Sequence, residues 1–323
     1  MLPRLPVHDA QVPAAGALNV DHVAHFVPDR AAAAAALARL GFTTTPFSEQ
    51  FHRLQADGPL VPAGTGNRCV MLREGYLEFL TPFMDTPVAG QLRDAIARYT
   101  GVPLSAYGTA DAEADHARLS AAGFAPLPPV RLQREADAPS GTDALSGTDA
   151  PRTTTTVRFV VTRTPPGTMP EGRIQFCGHQ TPEGVWQERW LDHPNRAAGL
   201  RRVFLVLADP AEAATRYARY AGVPSGLMYG SAGTEFVQQT GRGALHLMDA
   251  AAFQAQFDPD HAMALPLLPW IAGYELSSDD LAATRATIEA GGTPVATLPD
   301  GRLRVVLPPE LGGFILFSAR SAA

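Results

Sequence analysis

Lysine is missing altogether: all 26 basic residues are arginine. Together with the abundance of Ala, Gly and Pro, this reads as a bias of the coding sequence rather than a function. Positive charge is in deficit too, since 32 acidic residues leave a formal net charge of -6. That balance argues against a nucleic-acid partner or an anionic membrane surface, because binding phosphate needs clustered cations. Cysteine is scarce. Cys69 and Cys177 are the only two, so no disulfide framework is implied and the expected compartment is the reducing cytoplasm. No apolar run approaches the ~20 residues that cross a bilayer. Residues 1–17 contain Pro3, Pro6 and Pro13 and no apolar stretch of the kind that marks a signal peptide. Also missing are the Gly-x-Ser-x-Gly, Cys-x-x-Cys and His-Glu-x-x-His patterns and the dinucleotide-binding glycine pattern.

What is present is enough for a large core: 323 residues, 46% of them hydrophobic and 18% charged, which suits two domains or one body built from repeats. The stretch Asn19–Pro82 sets the pattern. A strand over Leu18–Val27 precedes Asp29, a helix N-cap. An alanine-rich helix follows and stops at Gly41. A second strand is expected over Phe42–Phe47, then a loop over His52–Gly66. Two strands around Cys69–Arg73 and Tyr76–Leu80 are joined by a turn at Glu74-Gly75. Strand, helix and three strands recur three more times, from Pro103, Arg202 and Trp270, with Gly-Phe at 123–124 repeating Gly41-Phe42. The expected organisation is a tail over 1–17, a first pair of units over 18–185, a linker over 186–199 and a second pair over 200–323. Within the first pair, 135–156 writes Ser-Gly-Thr-Asp-Ala twice and reads as a low-complexity excursion.

Four such βαβββ units, with the fragments Asp21-His22-Val23, Gly64-Thr65-Gly66-Asn67, Tyr76-Leu77-Glu78 and His193-Pro194-Asn195, resemble the vicinal-oxygen-chelate superfamily. That superfamily includes the glyoxalases, the extradiol dioxygenases and the bleomycin-resistance proteins, and the fragments look most like its glyoxalase-like domain group. The resemblance covers roughly residues 18–318. It implies an α+β fold of tandem βαβββ modules curling into two half-open mixed-sheet barrels. It also implies metal ligands at the opening position of each first strand and midway along each last strand. The reaction is not implied, because one fold hosts many chemistries.

Strand alternation tests which residues face the barrel interior. His22, Ala24 and Phe26 share one face, and Val23, His25 and Val27 share the other; the resemblance puts the second set where family members place Val, Leu and Val against the helix, which implies that His22 faces the cavity and His25 is a core histidine. Glu78 lies between the core-facing Leu77 and Phe79 and also faces the cavity, where a carboxylate is costly unless paired or bound to a cation. Superposing Gly172–Gln175 on Gly75–Glu78 puts Gln175 at the equivalent place in the second unit, with His179 four residues on and Leu104 opposite as a non-ligand. Arg202 and His246 occupy these places in the third unit. The second pair therefore reads as a degenerate structural half, or else as a pocket for an anion.

His22 and Glu78 with Gln175 or His179 form an N/O donor set suited to Fe(II), Mn, Co, Ni or Zn, with open positions for substrate oxygens if the ion is bound at all. Asn67 on the Gly64–Asn67 loop is a candidate substrate contact. Trp186, His193 and Asn195 would cover the pocket mouth or pack the halves together. The reading is a divalent-metal-dependent enzyme of lyase or isomerase type acting on a small oxygen-rich molecule, with His22 and Glu78 catalytic. The alternatives are a protein that sequesters a small molecule without metal, and an extradiol-type dioxygenase. No nucleic-acid or membrane partner is expected, and the barrels close within one chain or across a homodimer.

Overall fold

A computed structural model of the chain describes residues 7–53, 58–137, 154–229 and 232–320. The first half contributes strands β1 (Leu18–Phe26), β2 (Ser48–Arg53), β3 (Leu60–Met71), β4 (Tyr76–Pro82), β5 (Gly101–Thr109), β6 (Val130–Asp137), β7 (Thr154–Arg163) and β8 (Arg173–His179). Its helices are α1 (Arg30–Arg39), α2 (Pro87–Arg98), α3 (Ala112–Ala121) and the short α4 (Pro182–Val185). These strands close a barrel in the order β1-β4-β3-β2-β6-β7-β8-β5. The first module pair is thus fully closed rather than half-open.

The second half contributes β9 (Ala197–Val206), β10 (Gly226–Leu227), β11 (Glu235–Gln239), β12 (Ala244–Met248), β13 (Trp270–Ser278), β14 (Ala296–Thr297), β15 (Leu303–Val306) and β16 (Phe314–Ala319). Helices α5 (Pro210–Ala221), α6 (Ala250–Phe257) and α7 (Leu281–Ala290) accompany them. Here the sheet stays open, in the order β10-β11-β12-β9-β13-β16-β15-β14. No helix of the described residues is long and apolar enough to cross a membrane.

The same local chemistry starts each unit. Asp29, Asp111, Asp209 and Asp280 follow a strand directly and accept hydrogen bonds from backbone N–H groups of the next helix's first turn, satisfying donors that the helix cannot. Each unit then pairs its first and last strands in parallel. His22 lies beside Tyr76 and Ala24 beside Glu78. Leu104 pairs with Arg173 and Ala106 with Gln175, and Arg202 pairs with Ala244 and Phe204 with His246. The equivalences drawn from the repeats hold in this register. One continuous core of Val23, Leu37, Leu77, Leu205, Tyr274 and Phe317 among others lies between sheets and helices and runs through both halves.

Two expectations on the first unit are corrected. Phe42–Phe47 is not a strand. Pro46 removes a ladder donor, and Thr45 instead ties this segment to β3, its N–H donating to the Cys69 carbonyl at 2.9 Å and its hydroxyl accepting from Cys69 N–H at 2.9 Å. Second, Gly64–Asn67 is not a loop but lies within β3. A β-carbon at Gly66 would sit 2.3 Å from the Phe47 ring, so this glycine gives room to the crossing segment while Thr65 and Asn67 turn inward. Of the expected tail, the described part is held at Gln11, which is fully buried and donates to the carbonyls of Val7 and Arg73 at 2.8 Å. Most of the low-complexity excursion, residues 138–153, lies outside the described residues.

The concave face of the second sheet is filled. Phe204, Phe253, Phe257, Trp270 and Phe314 form one aromatic cluster joined by Leu316, with α6 supplying Phe253 and Phe257. Helix α6 itself went unanticipated, although Asp249 caps it.

Candidate functional site

The closed barrel encloses a cavity of about 150 Å³ lined by His22, Asn67, Glu78, Gln175, Cys69 and Cys177, among other residues. Register shows how they meet. His22 on β1 lies across from Ala106 on β5, which lies across from Gln175 on β8, which lies across from Arg163 on β7. One step along, Glu78 on β4 is followed by Ala24, Leu104 and Arg173. Neighbouring strands stand ~4.8 Å apart, and the alanines between the polar residues leave space above the sheet rather than filling it.

His22 is 2% exposed and is held by its neighbour in sequence. The β1–β5 pairing shifts register between Val20 and His22, and this bulge lets Asp21 turn into the same interior instead of the helix layer. Asp21 is fully buried, with an oxygen 2.6 Å from His22 Nδ1 and 3.0 Å from His179 Nε2. Burial pushes its carboxyl up. The charge of His179 and the hydrogen bonds from both rings outweigh that and hold it well below the usual carboxylate range. Ionised, Asp21 can only accept, so His22 donates from Nδ1. His22 Nε2 then has no hydrogen-bond partner among the described residues, and in the neutral ring it carries the lone pair. The ring is stacked on Tyr76 at 4.4 Å. Gly75 (φ 76°) makes the approach possible, since a β-carbon there would lie 2.6 Å from the Asp21 carbonyl.

Across the cavity Asn67 donates to Glu78 Oε1 at 2.5 Å. The other Glu78 oxygen and the Gln175 amide have no hydrogen-bond partner among the described residues. His22, Glu78, Gln175 and Asn67 are therefore brought together. His179 ends the same face of β8 but does not line the cavity; it sits against Asp21, Trp186 (ring centroids 4.6 Å) and Phe159 (5.3 Å). Its Nδ1 is buried without a partner.

Trp186, His193 and Asn195 lie outside the cavity lining. Trp186 backs Tyr76 and His179. His193 Nε2 donates to the Met71 carbonyl at 2.8 Å while its Nδ1 accepts from Thr43 N–H at 3.1 Å. Asn195 donates to the Leu40 carbonyl at 2.8 Å. These two residues tie the end of α1 and the end of β3 to the segment leading into β9. His25 turns away from the cavity, as alternation implies, but it meets Leu311 and the β13 residue Tyr274 of the second half rather than a helix.

Sequence reasoning missed Asp21 and Cys177. The donor atoms of Asp21, His22 and Cys177 lie within 4.8 Å of one another. Burial, then the nearby carboxylates of Asp21 and Glu78, hold the Cys177 thiol far above its ordinary value, so here it is a neutral thiol. Both Asp21 contacts are with histidine rings already in place. The trio thus works as support for His22, and a carboxylate behind the far nitrogen of an imidazole is the arrangement found behind metal-bound histidines. The free His22 Nε2, the free Glu78 oxygen and the Gln175 carbonyl line one cavity and are donors of a chemistry that suits a divalent ion. Among the described residues the second half repeats only part of this, because the carboxylate that could join a braced histidine is taken. Arg202 contacts both oxygens of Glu275 at 2.6 Å, and His246 is held by Glu235 at 2.6 Å and covered by Phe204.

Comparison with known proteins agrees with this architecture. A family model described as glyoxalase-like domain matches residues 20–221. No curated protein matches the sequence. A hypothetical protein from Staphylococcus aureus is similar in structure with a TM-score of 0.57 and 11% identity, over 94% of this chain and 100% of that one. A triple mutant of 4-hydroxymandelate synthase from Streptomyces coelicolor is similar at 0.55 and 14% identity, over 95% of each chain. A fusion of a xylose isomerase-like TIM barrel with 4-hydroxyphenylpyruvate dioxygenase gives 0.55 and 15%, over 97% of this chain and 50% of that one. At such identities the likeness is one of fold.

Proposed function

The chain belongs to the glyoxalase-like domain family of the vicinal-oxygen-chelate superfamily, and from that premise we propose that it is a divalent-metal-dependent enzyme of lyase or isomerase type acting on a small oxygen-rich substrate in the first barrel. The observation that supports this reading is that three residues with unpartnered donor heads, His22, Glu78 and Gln175, line one cavity, with His22 braced by Asp21. These three residues would hold the ion, which when bound polarises neighbouring substrate oxygens and favours loss of a proton beside them. The protein's own groups supply the rest. Asp21 fixes the tautomer of His22, Asn67 orients Glu78, and Glu78 takes and returns a proton. Leu80, Leu92, Leu104 and Leu132 wall the cavity, keeping bulk water from the reacting carbon.

Metal analysis of protein purified without a histidine tag tests the reading. Near-stoichiometric divalent metal is expected in the wild type, and a fall of about 10–100-fold in affinity or more in His22→Ala and Glu78→Ala, with His246→Ala unchanged. A wild type that neither retains nor takes up any divalent ion would sink the proposal. The apolar wall would then favour the second reading, sequestration of a small organic molecule, seen as a thermal shift with organic ligands alone. Ring-cleaving dioxygenation is the weaker option, because the second sheet, where the superfamily resemblance leads one to expect that triad, is packed with aromatic side chains.

A further inference from the structure

The cavity is electrostatically one-sided. Arg134, Arg163 and Arg173 line it together with a single carboxylate, Glu78, and none of the three guanidiniums forms an ion pair among the described residues. Arg173 has only neutral partners, Gln91 Oε1 at 3.3 Å and the Phe26 ring at 5.7 Å, and Arg163 Nε is buried with none. Several other guanidiniums that reach inward meet carboxylates, although Arg242 has only the neutral partners Ala10 and Gln11. Arg216 meets Glu171 at 2.7 Å, Arg304 meets Asp260 at 2.6 Å and Asp258 at 3.2 Å, and Arg202 meets Glu275. Unpaired cations gathered in a protein with a formal charge of -6 are held against their mutual repulsion and against desolvation.

Arg163 and Arg173 stand at a junction. Both also line a second cavity of about 350 Å³, with Gln91, Asp94, Arg98 and Tyr99. Register places Arg163 directly across from Gln175 and Arg173 in the row of Glu78. The strands that carry the two arginines thus lie two to three strand spacings, roughly 10–14 Å, from β1 and His22. We propose that Arg163 and Arg173 form an oxyanion clamp, and that the substrate is a small organic anion whose carboxylate or phosphate sits between them while its reacting oxygens reach His22 and Glu78. The clamp deepens the metal-enzyme reading above and takes its orientation from it. Planar guanidinium forks suit either oxyanion by paired hydrogen bonds. Burial, and then the charge of Arg163, already pull Arg173 down to about 10, and a bound anion reverses that.

The test uses the full chain at constant ionic strength, with succinate and glycerol 3-phosphate as probes and succinamide and glycerol as neutral controls. Thermal shift and calorimetric titration are expected to show binding of at least one anion and of neither neutral compound; which anion binds distinguishes carboxylate from phosphate. Binding should weaken about tenfold or more in Arg163→Gln and in Arg173→Gln, the loss expected for a charged hydrogen bond. The ligand-free variants should melt at or above the wild-type temperature, since each removes an unpaired cation; a scaffold role for these arginines predicts lower melting instead. His22→Ala should lose metal yet still bind the anion. Binding of the probes by a wild type that takes up no metal would uphold the clamp and overturn the metal reading. A wild type that holds metal but melts alike with and without the anions, or anion binding unchanged in both glutamine variants, overturns the clamp.

Discussion

Asp21→Asn is expected to cost more at the site than any other change of one or two atoms. An ionised Asp21 accepts from both His22 and His179, whereas an asparagine there offers one acceptor and one donor group. If its amide faces His22, Nδ1 must become the acceptor and the neutral ring's proton moves to Nε2, the atom otherwise free in the cavity. The residue then keeps its place but loses the lone pair. Removing a comparable carboxylate behind a metal-bound histidine lowers affinity about 10–100-fold, and the wrong-tautomer effect on a catalytic imidazole reaches about 10⁴ in rate. Asp21→Ala goes further. It leaves two buried imidazoles facing an empty acceptor position, and breaking a buried pair of this kind costs about 3–5 kcal/mol. Metal titration of Asp21→Asn, with circular dichroism to confirm folding, checks the first claim, and chemical denaturation of Asp21→Ala checks the second. Wild-type metal affinity in a folded Asp21→Asn protein would remove Asp21 from the site.

That Asp21 had to be found in the structure shows where reading by alternation stops. Period-two patterning assigns His22, Glu78 and Gln175 to one interior and His25 to the other layer, and the register agrees for all four. It does so because regular strands turn successive residues to opposite faces. The same rule sends Asp21 to the face of Val23 and His25, away from His22. A one-residue bulge overrides it, and bulges have no strong sequence signal outside glycine positions. One hint was there: a carboxylate inside a strand that is buried along its length has to be satisfied by something. His179 illustrates a different limit. Its face was legible, but closure of the barrel brings the end of β8 against Asp21, and closure is a long-range outcome that no local pattern encodes.

The arginine cluster was hidden for a related reason. Arg134 and Arg163 belong to β6 and β7, which flank the low-complexity stretch, and only their pairing in the closed barrel brings them to the same interior as Arg173. In the second half the Asp249 cap and the i, i+4 pair Phe253 and Phe257 were a readable amphipathic helix. Reading that helix would have filled the second sheet in advance and left the first barrel as the one with room for a ligand.

Acidification from pH 7 is expected to weaken the protein well before its carboxylates titrate, through His25. This side chain is fully buried. Its Nδ1 donates to the Leu311 carbonyl at 2.9 Å, so Nε2 is the nitrogen facing the Tyr274 hydroxyl at 3.1 Å, and the ring lies stacked on Phe79 at 4.8 Å. Burial lowers its pKa from 6.5 to about 4, the Leu311 hydrogen bond offsetting only part of the shift. The unfolded chain therefore takes up this proton near pH 6.5 while the folded chain refuses it until about pH 4. Stability is complete above the unfolded value, falls as pH drops between the two, and is flat again below the folded value. The slope reaches about 1.4 kcal/mol per pH unit and the total is about 3 kcal/mol. His193, also lowered chiefly by burial, adds in the same direction. Asp21, lowered from its ordinary carboxylate value, contributes its own loss only at more acid pH, as the carboxylate is neutralised. Because Leu311 and Tyr274 belong to the second half, a charge on His25 acts on the seam between the two sheets. Denaturation of wild type and His25→Gln at pH 7.0, 5.5 and 4.5 provides the measurement. The variant should start lower at pH 7 through lost packing, yet decline much less on acidification, so that the two curves converge. Curves that fall in parallel would place the acid sensitivity in other groups.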